Sequence, residues 1–105
     1  MDQTTNITLC CPSRGRPEFA KRMQDSALAT AKYPDQVKVK FYLNKDDPQL
    51  KNYKLNDFDV GIDRSTVMSW NLIAESSPSR MYMLVGDDAE FITQHWDEKF
   101  LDQYK

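Results

Sequence analysis

The sequence is short of glycine, with three residues in 105, and it carries a single histidine. Three glycines exclude the GxGxxG dinucleotide fingerprint and the Walker phosphate loop, neither of which appears. One histidine beside two cysteines leaves no convincing serine–histidine–acid or cysteine–histidine arrangement. Those cysteines, Cys10 and Cys11, are neighbours in an apolar run, so their side chains point to opposite strand faces. That placement suits neither a disulfide framework nor a metal cluster, and it puts both in the core. No segment approaches the ~20 apolar residues of a membrane span, and no basic n-region precedes an apolar stretch at the N-terminus. The expected location is cytoplasmic, with no membrane span. Fourteen basic against sixteen acidic residues leave a formal charge of -2, so no global positive field exists to hold nucleic acid.

What is present is a globular balance, 40% apolar and 29% charged, in a chain long enough for one domain, residues 1–105. Ile7 to Cys11 is short, apolar and β-prone, and Pro12 to Pro17 follows with turn chemistry. From Pro17, a suitable first helical residue, Phe19, Met23, Ala27 and Ala31 recur at spacing four, which predicts a helix to about Tyr33, stopped by Pro34. Val37 to Leu43 alternates with period two and closes at Asn44 to Pro48. The stretch from Gln49 to Asp57 holds no period, and Phe58 to Val60 suggests a short strand. Asp63 or Ser65 can cap a helix through about Ser76 that buries Val67, Met68, Leu72 and Ala74. Met81 to Val85 has the near-continuous apolar pattern of a central strand covered on both faces, and it opens into Gly86-Asp87-Asp88. Phe91-Ile92 suggests another short strand, and Trp96, Phe100 and Tyr104 a last amphipathic helix. Strand, helix, strand, helix, strand predicts βαβ units and a mostly parallel sheet, in which ligands gather beyond the carboxyl ends of the strands.

Three charged loops fall at that edge. Asp87 and Asp88, with Gly86 permitting close backbone approach, suit Mg2+ or Mn2+, hard cations that take oxygen ligands. A bare Asp-Asp pair also reads as a solvated turn that caps local backbone. Ser13, Arg14 and Arg16 around Gly15 form a plausible cradle for phosphate oxygens, or a pair of solvated surface arginines. Asn44, Asp46 and Asp47 suit a ribose or base edge, or a routine Asx-Pro turn. Arg64 is placed to reach a phosphate and Asn71 to orient the acidic loop, with a cap and a partly buried amide as the plain alternatives. His95 opens the last helix as a candidate base or ligand. Trp96 beside it reads as a core anchor or as a stacking surface.

Taken together, ITLCCPSRGRP from Ile7 to Pro17, Asn44-Lys45-Asp46-Asp47, Arg64 to Asn71, and VGDDAEF from Val85 to Phe91 resemble the family-2-like GT-A glycosyltransferases, including small phage-encoded ones. The match in order and spacing runs across nearly the whole chain. The resemblance implies a three-layer αβα, Rossmann-like sheet and a metal-dependent enzyme acting on a UDP- or dTDP-hexose. It implies that Pro12, Ser13, Arg14 and Arg16 line the nucleotide and that Asn44 or Asp46 meets the base or ribose. Asp88 takes the last position of a DxD-like motif and binds Mn2+ or Mg2+. Gly86 departs from the motif at its first position, which makes Asp87 the supporting member. In the family a second half with the acceptor site follows this motif. Here only His95, Asp97 and Glu98 stand downstream as candidates for a base, with His95 expected to be catalytic beside Asp88. A non-catalytic nucleotide-sugar-binding module is the alternative. Open strand edges and an apolar face predict self-association into a homo-oligomer.

Overall fold

The computed structural model describes residues 6–62, 66–76 and 79–102, without the side chains of residues 66, 67 and 76. Asp63, Arg64, Ser65 and Tyr104, and the side chain of Val67, lie outside that description. Among the described residues four strands form one sheet: β1 (Ile7–Ser13), β2 (Val37–Asn44), β3 (Phe58–Gly61) and β4 (Met81–Leu84). Every pairing is parallel and the spatial order is β3-β2-β1-β4. The helices are α1 (Pro17–Thr30), α2 (Thr66–Ser76) and α3 (Trp96–Asp102), with short 3₁₀ turns at Pro34–Gln36 and Leu50–Asn52. The fold is therefore mixed α/β around a parallel sheet. Among the described residues no helix is long and apolar enough to cross a membrane.

Period-two alternation in β1 and β2 supplies two faces. Ile7, Leu9 and Cys11 with Val37, Val39, Phe41 and Leu43 pack against Ala20, Met23 and Ala27 of α1 and against Trp96. On alternate residues, Cys10 and Tyr42 join Ile73 of α2 in a smaller cluster. Both cysteines are buried, one in each cluster, as their adjacency predicts.

β1 runs two residues past its expected end, through Pro12 and Ser13. Proline is normally barred from central strands because it lacks an N–H. Here the Val85 amide donates to Cys10 O, so the even-numbered residues of β1 face β4, and that ladder ends at Cys10–Leu84. Pro12 faces the same way, one step beyond, so its missing N–H breaks no ladder. It opens the sheet between β1 and β4 at their carboxyl ends.

Helix α1 stops at Thr30 rather than Tyr33. The reason is tertiary: the Lys32 and Tyr33 amides donate to the two oxygens of Asp97 at 2.7 and 2.9 Å, which draws both residues out of the helical path ahead of Pro34. The chain after β4 is strapped down the length of α1. Arg22 donates to Asp88 O, the Phe91 amide to Ser26 Oγ, the Trp96 indole to Ala27 O and the His95 amide to Thr30 O. That path leaves no strand at Phe91-Ile92, and Ile92 is exposed.

β4 lies at the edge and is covered on one face only. Met83 and Val85 pack on the larger cluster, whereas Tyr82 and Leu84 are 38% and 53% exposed, because α2 lies over β1 and β2. Met68, expected inside, is also exposed; the buried line of α2 runs through Ser69 and Ile73.

Asp97 is thus a structural acceptor. Asp97→Ala should cost about 2–4 kcal/mol by urea denaturation, the penalty of two partly buried amides losing their acceptor, and Asp97→Asn, which keeps one oxygen, about half of that. A loss under about 0.5 kcal/mol in the alanine variant would remove this account of the helix end.

Candidate functional site

The carboxyl ends of β1 and β4 are the point where the strand order turns back: β2 and β3 lie to one side of β1 and β4 to the other. In open parallel sheets that opening is where ligands bind. Past the end of the ladder a side-chain contact takes over, with Ser13 Oγ donating to Asp87 Oδ2 at 2.8 Å. Asp87 Oδ1 lies 3.3 Å from a guanidinium nitrogen of Arg16. Asp87 is only 3% exposed, so its charge needs both partners to offset lost hydration.

Tyr53 closes this arrangement. Its phenol oxygen accepts the Arg16 N–H at 3.1 Å and lies 2.9 Å from Ser13 Oγ. An ionised carboxylate can only accept, so Ser13 gives its proton to Asp87 and Tyr53 gives its own to Ser13. The result is a closed circuit: Tyr53 to Ser13, Ser13 to Asp87, Arg16 to Asp87, and the Arg16 amide back to Tyr53. Burial pushes the Tyr53 phenol up from its ordinary pKa, against the hydrogen bonds of Ser13 and Arg16 that lower it. It therefore remains a donor at neutral pH.

The loop between β1 and α1 is tied to the segment after β2. Gly15, at φ +69°, is in the left-handed region that glycine enters without penalty, and this turns its N–H to Asp47 Oδ2 at 2.7 Å. The other oxygen of Asp47 accepts the Gln49 amide at 2.8 Å, the Asx-turn reading of that stretch. With the Gly15 and Arg16 amides both engaged, these two form no nest of free backbone N–H groups for an anion. Arg14 pairs with Asp46 at 3.0 Å, and both side chains are half-exposed or more. Such a pair is worth at most about 1 kcal/mol and yields readily to a ligand.

Asp88 differs from its neighbour. It is exposed, its carbonyl is held by Arg22 at 3.0 Å, and its carboxylate folds back over Gly86, where a β-carbon would sit 2.9 Å from Oδ1. No group of three or more His, Cys, Asp or Glu among the described residues is placed to hold a metal on its own. The donor set still fits a hard cation in one way, since Mg2+ is commonly bound by one or two carboxylates with waters and substrate phosphates. Asp88 is the carboxylate available for that, because both oxygens of Asp87 are engaged.

Of the remaining residues singled out above, Pro12 and Ser13 belong to the end of β1, and buried Asn44 ends β2. Asn71 is exposed on α2 beside Met68 and Glu75 and joins none of the contacts of the cluster described here. Arg64 lies outside the described residues. His95 is exposed, at φ +57°, beside the carboxyl end of α1. The cluster sits at the amino end of that 14-residue helix, about 20 Å away. Trp96 is the core anchor of the two readings, with its ring 4.6 Å from that of Phe91.

Tyr53, Asp47 and Arg22 complete the site, and sequence patterning did not single out their roles. Tyr53 lies in the stretch without periodicity, so nothing local marks it. The Asx-Pro turn accounts for Asp47 without showing its grip on Gly15. Arg22 is one of two adjacent basic residues on α1, and nothing local distinguishes it from Lys21.

No protein family, curated protein or solved structure matches this chain.

Cys11 lies close to the site, but burial first, and then the charges of Asp87 and Asp88, push its thiol far up, and burial takes Cys10 to about 11. Neither is a nucleophile. Iodoacetamide at mildly alkaline pH should leave both unmodified in the folded protein and label both in concentrated urea; labelling of the native state would contradict this. The acidic pair should separate by stability. Asp87→Ala should cost about 2–3 kcal/mol in chemical denaturation, because Ser13 and Arg16 lose a buried acceptor, and Asp88→Ala should stay within about 0.5 kcal/mol. Equal losses would mean that the two carboxylates are not distinguished as described.

Proposed function

We propose that this chain is a minimal donor-binding domain of GT-A glycosyltransferase type, a three-layer αβα, Rossmann-like unit that binds a nucleotide-diphosphate sugar. The observation that carries this reading is the cluster at the β1–β4 opening. Arg16, a buried serine–aspartate link and an exposed carboxylate lie where a parallel sheet of this order binds ligands, with Arg14 in the adjoining loop, paired to Asp46. UDP- or dTDP-hexoses suit it, because Arg14 and Arg16 present planar donors to diphosphate oxygens.

Asp88 would hold Mn2+ or Mg2+ against the same diphosphate, with Asp87 orienting Arg16 from behind. The ion, when bound, supplies positive charge opposite the departing diphosphate. Arg16 is held in place before ligand arrives, so its electrostatic help needs no reorganisation at the moment of transfer. Slow hydrolysis of the sugar nucleotide is the activity expected without an acceptor. Self-association belongs to the same proposal and finds support in the uncovered β4 edge. Cytoplasmic location belongs to it as well and rests on the sequence.

A second reading is favoured by one observation. His95, Asp97 and Glu98, the downstream candidates for a base, all sit at the far end of α1. Asp97 is occupied by two amides and Glu98 by Lys32. A non-catalytic binding module that relies on a partner for acceptor chemistry accounts for that placement.

Calorimetric titration with a panel of UDP- and dTDP-sugars, with and without manganese, tests the proposal. Metal-dependent binding should fall by more than about tenfold in Asp88→Ala. Unchanged metal-dependent binding in that variant removes the metal assignment. Binding without loss of the sugar on prolonged incubation decides for the module.

A further inference from the structure

The circuit around Ser13 contains one group with no evident place for ligand contact. Tyr53 is 7% exposed and its ring packs in the larger core cluster. Its hydroxyl nonetheless joins the last residue of β1 to the backbone of the residue that precedes α1, beside the link that Asp87 makes between their side chains. The Arg16 side chain makes no cap bond to its own helix; its carbonyl accepts the Ala20 amide, and the Tyr53 oxygen is the acceptor that holds its N–H. Through Ser13 the same hydroxyl also fixes the far side of Asp87, the carboxylate that the Arg16 guanidinium meets.

We propose that Tyr53 is a positioning residue of this site: its hydroxyl holds Arg16 at the backbone and Asp87 through Ser13, so affinity for a diphosphate depends on a group that never touches it. The ligand half of this inference rests on the reading of the site as a diphosphate-binding one. The half that concerns Arg16 does not. Hydrogen bonds in such a chain polarise one another, and each proton here has one place to go. Tyr53→Phe keeps the ring that fills the core and removes only the junction. The Arg16 N–H then loses its acceptor and Ser13 its donor.

Two measurements on the full chain separate the halves. Amide hydrogen exchange by NMR should quicken at Arg16 by about tenfold in Tyr53→Phe. It should quicken much less in Ser13→Ala, which leaves the Arg16 N–H its Tyr53 acceptor. Equal acceleration in both variants, or none in Tyr53→Phe, overturns the positioning role.

Titration with UDP and manganese should show affinity reduced by about fivefold in Tyr53→Phe, the equivalent of one net hydrogen bond. The double variant Tyr53→Phe/Arg16→Ala should bind no more weakly than Arg16→Ala alone, because the phenol acts through that arginine. A general loss of structure would instead weaken binding equally in both backgrounds, so multiplying losses overturn the ligand half. Failure of the unaltered protein to bind UDP with manganese overturns the diphosphate reading, and the ligand half with it, while exchange at Arg16 still decides the other half.

Discussion

The hydrogen bond from Ser13 to Asp87 is the contact on which the rest of the site depends. It forms where backbone pairing between β1 and β4 has ended, and it joins two strand ends that would otherwise part. A buried carboxylate is costly unless it is paired and hydrogen-bonded. Asp87 therefore requires Ser13 on one oxygen and Arg16 on the other, and Arg16 in turn is held at its amide by Tyr53. Satisfying one buried charge thereby orders the end of β1, the start of α1 and the turn after β4 together.

That ordering divides the charged residues into two kinds. Asp87 and Asp47 are buried and their oxygens are taken up by the protein, so they shape the loops. Arg14, Asp46 and Asp88 are exposed, and they are the groups that the proposed function assigns to a ligand. The segment after β4 extends the same logic away from the site. Its contacts with Arg22, Ser26, Ala27 and Thr30 follow α1 toward the opposite edge of the sheet. The course that anchors Trp96 in the core also carries His95 and Asp97 away from Arg16.

Much of this was legible in the order of residues. The strands, the helices and the parallel sheet follow from periodicity and from the turn residues between them. So do the opposite faces of Cys10 and Cys11 and the meeting of three charged loops at one edge. The phase of α2 was not legible, because TVMSWNLIAES is apolar around most of its circumference and only contact with Cys10 and Tyr42 selects Ile73. The single-sided cover of β4 was hidden for a related reason: an apolar run reads alike whether or not a helix lies over its second face. The end of α1 depends on Asp97, which is 65 residues from Lys32 in the chain.

The sequence by itself determined which elements form and which chemistry gathers at the carboxyl edge of the sheet, since both depend on local spacing and on residue type. Tertiary structure decided which of the acidic pair is buried. Asp87 and Asp88 are identical in chemistry and adjacent in the chain, and in the sequence only the motif resemblance set Asp87 apart as the supporting member. The strand end turns one inward to Ser13 and Arg16 and leaves the other in solvent. Burial and partner distance, which only the folded chain defines, make one a structural charge and leave the other exposed.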